Sequence, residues 1–268
     1  MTEFDPDLYR GTPDHYDRFR IRYPQEMLDD LIGQTQPSGA GRLLDLACGT
    51  GQITFAIAKH FAEVWAVDQE PDMIEAVREK AGAAGVRHVN AAVSPAEALD
   101  APIGAFELVA VGNAFHRLRR EAIATNAFRW LRPDGWISLL WSTGPWVGER
   151  DWQRALSDLL ARWKTKVGAQ DRVPVGWDEA RRERPDLAVL TAAGFEPVRS
   201  ARFHKNHQWT TETLIGFVYS TSLLPRAVLG DHAHAFEIDV RRELDQFARR
   251  DALSDSIDFA YELARRPR

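Results

Sequence analysis

From residue 42 to residue 141 the chain alternates two apolar patterns. Short continuous runs at residues 43–46, 64–67, 106–111 and 136–141 mark strands buried on both faces. Residues 86–92 form a weaker run of the same kind. Between these runs, residues 52–58, 73–80 and 123–131 carry apolar positions at helical spacing. Strand and helix in alternation predict a parallel sheet with helices on its faces.

Outside that span the pattern is looser. Residues 25–33 predict a helix and residues 36–41 a linker turn. After Ser142 the expectation is a helix over 146–167, a polar loop over 168–184 carrying Trp177, and a helix over 185–193 capped by Gly194. A sixth strand over 195–204, helices over 210–222 and 225–250, and a closing strand over 257–264 complete the chain. Most of the nine tryptophans fall in this half, which predicts a large apolar cavity or additional core.

The first strand opens the most informative stretch, Leu43-Leu44-Asp45-Leu46-Ala47-Cys48-Gly49-Thr50-Gly51-Gln52-Ile53-Thr54. A buried strand runs into a loop of small residues and then into a helix. Small residues let a backbone approach a ligand closely, and a helix N-terminus offers unpaired N–H groups. A phosphate loop would need Lys followed by Ser or Thr after its glycines, and none is present. A dinucleotide fingerprint would need a third glycine, and Ile53 and Thr54 occupy that stretch.

Asp45 to Gly51 resembles the first motif of class I S-adenosylmethionine-dependent methyltransferases, D-x-G-x-G-x-G, with Ala47 for the first glycine. The resemblance implies a Rossmann-like, doubly wound α/β sheet of about seven strands, the last antiparallel and paired beside the sixth, with helical lid insertions. It implies S-adenosylmethionine as cofactor, S-adenosylhomocysteine as product, and cofactor contacts from Asp45, Ala47, Gly49 and Gly51. Asp68 closes the second strand about 20 residues on, where an acid can accept both hydroxyls of an adenosine ribose. Asp72, after Pro71, is the better helix cap of the two acids. In the family, the positions of Gln69 and Met73 flank the adenine.

Three further stretches extend the likeness. Ser94 to Leu99 matches G-x-A-E-x-L, which implies that the Ala96 backbone N–H meets the adenine and that Glu97 contacts it or caps the loop. Gly112 to Leu118 resembles G-x-A-F-H-W-x, with Arg117 for tryptophan. That places Gly112 at the cofactor and Phe115 and His116 toward the substrate, while Trp146 in the lid insertion would supply an aromatic wall for it. Tyr16 to Pro24 resembles Y-x-x-x-R-P-x-Y-P of the trans-aconitate branch, type 11, with Ile21 for proline. There Tyr16 and Arg20 would hold the methionine carboxylate, since arginine pairs bidentately with such groups; a surface helix packing its aromatics is the alternative.

His116 has the pKa of a general base, but a histidine that merely shapes the pocket is preferred, because methyl transfer needs a base only when the nucleophile carries a proton. His204, His207, His232 and His234 lack a neighbouring acid or cysteine in ligand spacing, so no metal is expected. Cys48, the sole cysteine, excludes an internal disulfide.

The expected organisation is a cofactor-covering segment over 1–40, the Rossmann-like core over 41–145, a lid insertion over 146–185, and completion of the core over 186–268 with a second lid insertion at about 210–250. The expected activity is methyl transfer to an oxygen, nitrogen or carbon nucleophile of a small metabolite, secondary metabolites included. A protein of this fold that runs a non-methylating reaction, or only binds the cofactor, is the alternative. A nicotinamide-dependent reductase is disfavoured by the missing glycine. A net charge of −5 argues against a nucleic-acid partner. No run of about 20 apolar residues suggests a membrane span, and no signal peptide is visible, so the cytoplasm is the expected location. A homodimer is left open.

Overall fold

The computed structural model describes residues 7–172, 177–248 and 253–268. Helices α1 (Pro13–Phe19) and α2 (Gln25–Thr35) precede the first strand. There follow β1 (Arg42–Leu46), α3 (Gln52–Ile57), β2 (Glu63–Asp68), α4 (Pro71–Ala84), β3 (Val89–Val93), β4 (Phe106–Gly112), α5 (Arg120–Trp130) and β5 (Leu131–Ser142). The remainder comprises α6 (Asp151–Lys166), α7 (Trp177–Glu183), α8 (Asp186–Ala192), β6 (Glu196–Gln208), α9 (Thr211–Tyr219), α10 (Arg226–Leu229), α11 (Ala233–Ala248) and β7 (Ser254–Arg265).

The seven strands form one sheet in the order β3-β2-β1-β4-β5-β7-β6. The first five are parallel, while β7 runs antiparallel to both β5 and β6. The continuous apolar runs have the expected cause. Leu43, Leu44 and Leu46 on β1, and Phe106, Leu108 and Val109 on β4, have no exposed surface, because helices cover both faces. Each such side chain contributes roughly 1.5–3 kcal/mol by leaving water. The strand order reverses between β1 and β4, which opens a crevice beyond their carboxyl ends.

Several local boundaries differ from the sequence reading. The segment expected as a loop over 168–184 contains α7; the Trp177 side chain and residues 173–176 lie outside the described residues. The helix expected from Trp146 begins at Asp151, where the Arg150 N–H donates to Gln153 Oε1 at 3.2 Å. The helix expected over 225–250 is broken by Gly230, whose φ of 51° leaves the right-handed helical region. Arg249 and Arg250 of that expectation fall outside the described residues. Glu70, not Asp72, takes the cap position of α4, because Pro71 is the first helical residue and needs no N–H partner there.

Trp152, Trp163 and Trp209 build core. Trp152 and Trp163 are buried with Leu156, Leu160 and Phe236, and Trp163 meets Phe236 edge to face with centroids 5.5 Å apart. This packing joins α6 to α11. Helix α9 lies against α1, where Gly216 leaves room for the Phe19 ring; a Cβ there would fall 2.4 Å from it. Among the described residues no helix is long and apolar enough to cross a membrane.

Candidate active site

A cavity of about 490 Å³ lies at the reversal point. The loop after β1, the end of β2, the turn after β3 and the end of β4 all contribute to its wall, together with Leu8, Tyr9 and Tyr16 from the N-terminal segment.

The loop after β1 is left-handed at Ala47 (φ 55°), Gly49 (φ 55°) and Gly51 (φ 81°). Glycine takes this region freely, whereas Ala47 does so against its own Cβ. Three polar ties hold the loop. The Gly49 N–H donates to Asp68 Oδ2 at 2.8 Å, fastening β1 to β2. Lys80 Nζ on α4 donates to the Thr50 carbonyl at 2.8 Å and pairs with Asp17 of α1. Beneath the loop, Asp45 Oδ2 accepts the Thr54 N–H at 2.8 Å and the Thr54 hydroxyl at 2.6 Å. Asp45 is 1% exposed and its Oδ1 has no hydrogen-bond partner among the described residues. Burial, partly offset by Thr54, raises its pKa to about 7.

Asp68 lines the cavity and accepts a second backbone N–H, from Glu70 to Oδ1 at 3.0 Å. Burial raises its pKa, and the backbone donors oppose the shift. Gln69 and Met73 line the same region, with Ala96 and Glu97 from the turn after β3. Glu97 Oε1 accepts the Arg119 N–H at 2.9 Å. Across the cavity, Gly112 has no room for a side chain: a Cβ there would lie 2.6 Å from Ile53 Cδ1 and 2.8 Å from the Tyr23 hydroxyl. Asn113, left-handed at φ 52°, binds Tyr23 Oη (3.1 Å) and Ser142 Oγ (3.2 Å) through Nδ2 and accepts the Ser142 N–H (2.9 Å).

The structure therefore gathers Tyr16, Ala47, Gly49, Asp68, Gln69, Met73, Ala96, Glu97 and Gly112 around one cavity. Other predicted residues sit elsewhere. Asp45 lies beneath the loop, as the tie to Thr54 describes, and Gly51 ends the loop at the cap of α3, against Phe55 and Val77. Arg20 stands behind Tyr16, its guanidinium 4.8 Å from that ring and 5.1 Å from the Phe217 ring. Its Nη2 donates to the Ser220 carbonyl at 3.1 Å. Trp146 packs on Phe217 with centroids 5.8 Å apart, and Phe115 is buried among Leu44, Val109 and Ile123. His116 is set back from the wall, and its Nε2 faces Arg117 Nε at 3.2 Å. Burial, with Arg117, Arg181 and Arg120 nearby, holds its pKa well below 6.5, so the imidazole is neutral.

Among the lining residues that the sequence reading did not assign to the site are Tyr9, Glu70, Asn113 and Arg117. Arg117 bonds Ser222 Oγ at 3.1 Å and lies 5.0 Å over the Tyr9 ring. The signal for Asn113 was available, since asparagine after a strand tolerates a left-handed turn. Tyr9 carries no such mark.

The fold and loop define a Rossmann-like protein of the class I methyltransferase type. Residues 43–135 match the model of the methyltransferase domain. An uncharacterized methyltransferase of Mycobacterium tuberculosis strain H37Rv is 32% identical over 148 residues, which span 55% of this chain and 56% of that protein. The chain thus spans little more than half the length of this relative. An uncharacterized methyltransferase-like protein of Schizosaccharomyces pombe is 26% identical over 97% of this chain and 94% of its own length. Among solved structures, a Haemonchus contortus phosphoethanolamine N-methyltransferase bound to S-adenosylhomocysteine shares the fold, with a TM-score of 0.54 at 14% identity, covering 96% of this chain and 57% of its own. The narrower likeness to the trans-aconitate branch rests on the stretch from Tyr16 to Pro24 alone.

Proposed function

We propose that the protein is an S-adenosylmethionine-dependent methyltransferase acting on an oxygen, nitrogen or carbon nucleophile of a small molecule. The observation that carries this reading is the Asp68 carboxylate, which lines the cavity together with the Gly49 loop and Ala96. An adenosine fits that donor and acceptor set: a carboxylate for ribose hydroxyls, small residues beside it, and the flat apolar surface of Met73 for a base. S-adenosylmethionine, when bound, supplies an electrophilic methyl group on a sulfonium.

The chain's own residues supply binding, orientation and exclusion of water. Asp68 would take the ribose, and Gln69, Met73 and Ala96 the adenine. Tyr16 would close over Gly49, its ring carbons 3.4 Å from where a Cβ there would stand. Arg20, stacked on the far side of the Tyr16 ring and bonded to the Ser220 carbonyl, would hold that ring in place. Asn113 and Arg117, at the end of β4, would meet the acceptor. His116 would act through Arg117, since its Nε2 is engaged there.

Calorimetry with S-adenosylhomocysteine and with NAD tests the cofactor. Incubation with methyl-labelled S-adenosylmethionine and a panel of small alcohols, amines and carbon acids then tests the reaction. Binding of S-adenosylhomocysteine followed by label transfer supports the reading. Binding without transfer to any acceptor would favour a non-methylating protein of this fold, and NAD binding alone would overturn the cofactor assignment.

A further inference from the structure

The residue after Gln69 is a second carboxyl at the same wall of the cavity. Glu70 is 4% exposed and lines the cavity with Asp68 and Met73. It holds the cap position of α4, yet its side chain makes no cap hydrogen bond. Its Oε1 is buried with no hydrogen-bond partner among the described residues. A buried acceptor left in that state costs about 1–3 kcal/mol, and a ligand that brings a donor removes the cost. Asp68 divides its acceptor sites between the fold and the cavity, since each of its oxygens already accepts one backbone N–H, from Gly49 and from Glu70.

We propose that Glu70 is a second binding residue for the donor, its carboxyl engaging a ribose hydroxyl alongside Asp68. The inference rests on the S-adenosylmethionine reading above. A hydroxyl is the group that suits this carboxyl best, because it can donate to a carboxylate and accept from a carboxylic acid. Both forms are accessible near neutrality. Burial, then Asp68, then Asp7 push the Glu70 pKa to about 7, with Arg10 opposing and Asp72 adding. Those groups come from the end of β2, the first turn of α4 and the segment before α1, so the carboxyl stands among acids with one guanidinium nearby. An ammonium group would lose its partner whenever Glu70 is protonated, whereas a hydroxyl would not.

The test is calorimetry on the full chain with S-adenosylhomocysteine and with its 2′-deoxy and 3′-deoxy counterparts. The native protein is expected to bind one deoxy counterpart about tenfold more weakly than S-adenosylhomocysteine itself. Glu70→Ala is expected to bind S-adenosylhomocysteine about tenfold more weakly and to lose that discrimination. Glu70→Gln, which keeps an acceptor oxygen in place, is expected to retain most of the affinity. Thermal unfolding of each variant checks its fold; should Glu70→Ala fail to fold, Glu70→Met, of similar length without an acceptor oxygen, carries the same comparison. Native affinity in the folded Ala or Met variant would overturn the assignment, as would equal weakening of all three ligands. Failure of the native protein to bind S-adenosylhomocysteine would instead overturn the cofactor reading, so the two failures are distinct.

Discussion

The Gly49 N–H, in the loop after β1, and the Asp68 carboxylate, at the end of β2, are joined by a hydrogen bond of 2.8 Å. One acid therefore faces the cavity and also fixes the loop that forms its floor. Asp68→Ala should weaken S-adenosylhomocysteine binding at least tenfold, because both the acceptor and the loop's tie are lost. Asp68→Asn keeps an acceptor for Gly49 and should lose affinity with a smaller fall in melting temperature. Calorimetry and thermal unfolding on the same samples separate the two effects.

Asp45 gives stability a pH dependence with a definite sign. Its folded pKa of about 7 stands above the ordinary carboxylate value of 3.8. The folded state then holds a proton that the unfolded state releases between those values. Its favourable contribution is fully present below about pH 4 and is lost as pH rises through about 7. Glu70, also raised to about 7, acts in the same direction. Asp45→Asn, which keeps an oxygen for Thr54, should flatten the fall in melting temperature between pH 5 and pH 8. An unchanged slope would show that Asp45 is ionised in the fold.

Ala47 occupies a left-handed conformation in a loop that otherwise uses glycine there. Ala47→Gly relieves the Cβ contact but loosens the unfolded chain, so the net gain should be about 0.5–1 kcal/mol. Chemical denaturation measures it directly. Destabilisation would mean that the Ala47 methyl makes packing contacts that outweigh its strain.

Gly112 faces Ile53 and the Tyr23 hydroxyl at distances no Cβ can share. Gly112→Ala should destabilise the fold by about 1–3 kcal/mol. It should also displace Tyr23 from Asn113, and weaker S-adenosylhomocysteine binding would report that shift.

His116 is neutral and directed at Arg117, not at the cavity. His116→Ala should leave the pH profile of kcat/KM unchanged while raising KM as Arg117 loses its support. Loss of a basic limb from that profile would restore the histidine as general base.

What the sequence determined was local and repetitive. The apolar runs of β1, β2, β4 and β5 are continuous because strands covered on both faces have no polar side, so burial writes itself into consecutive residues. Gly49 and Gly51 were legible because a left-handed turn restricts the residue type at its own position. Asp68 was legible from its spacing after that turn. Tertiary structure alone decided the rest. Asp45 sits within one apolar run and Asp68 ends another, and only the contact with Thr54 on one side and the cavity on the other separates a brace from a wall residue. Tyr9 reaches the cavity because a segment distant in sequence folds onto it, which no local pattern records. The aromatics of α6, α9 and α11 looked the same on paper as pocket walls or as core, because apolar spacing reports that a side chain is buried and not what buries it.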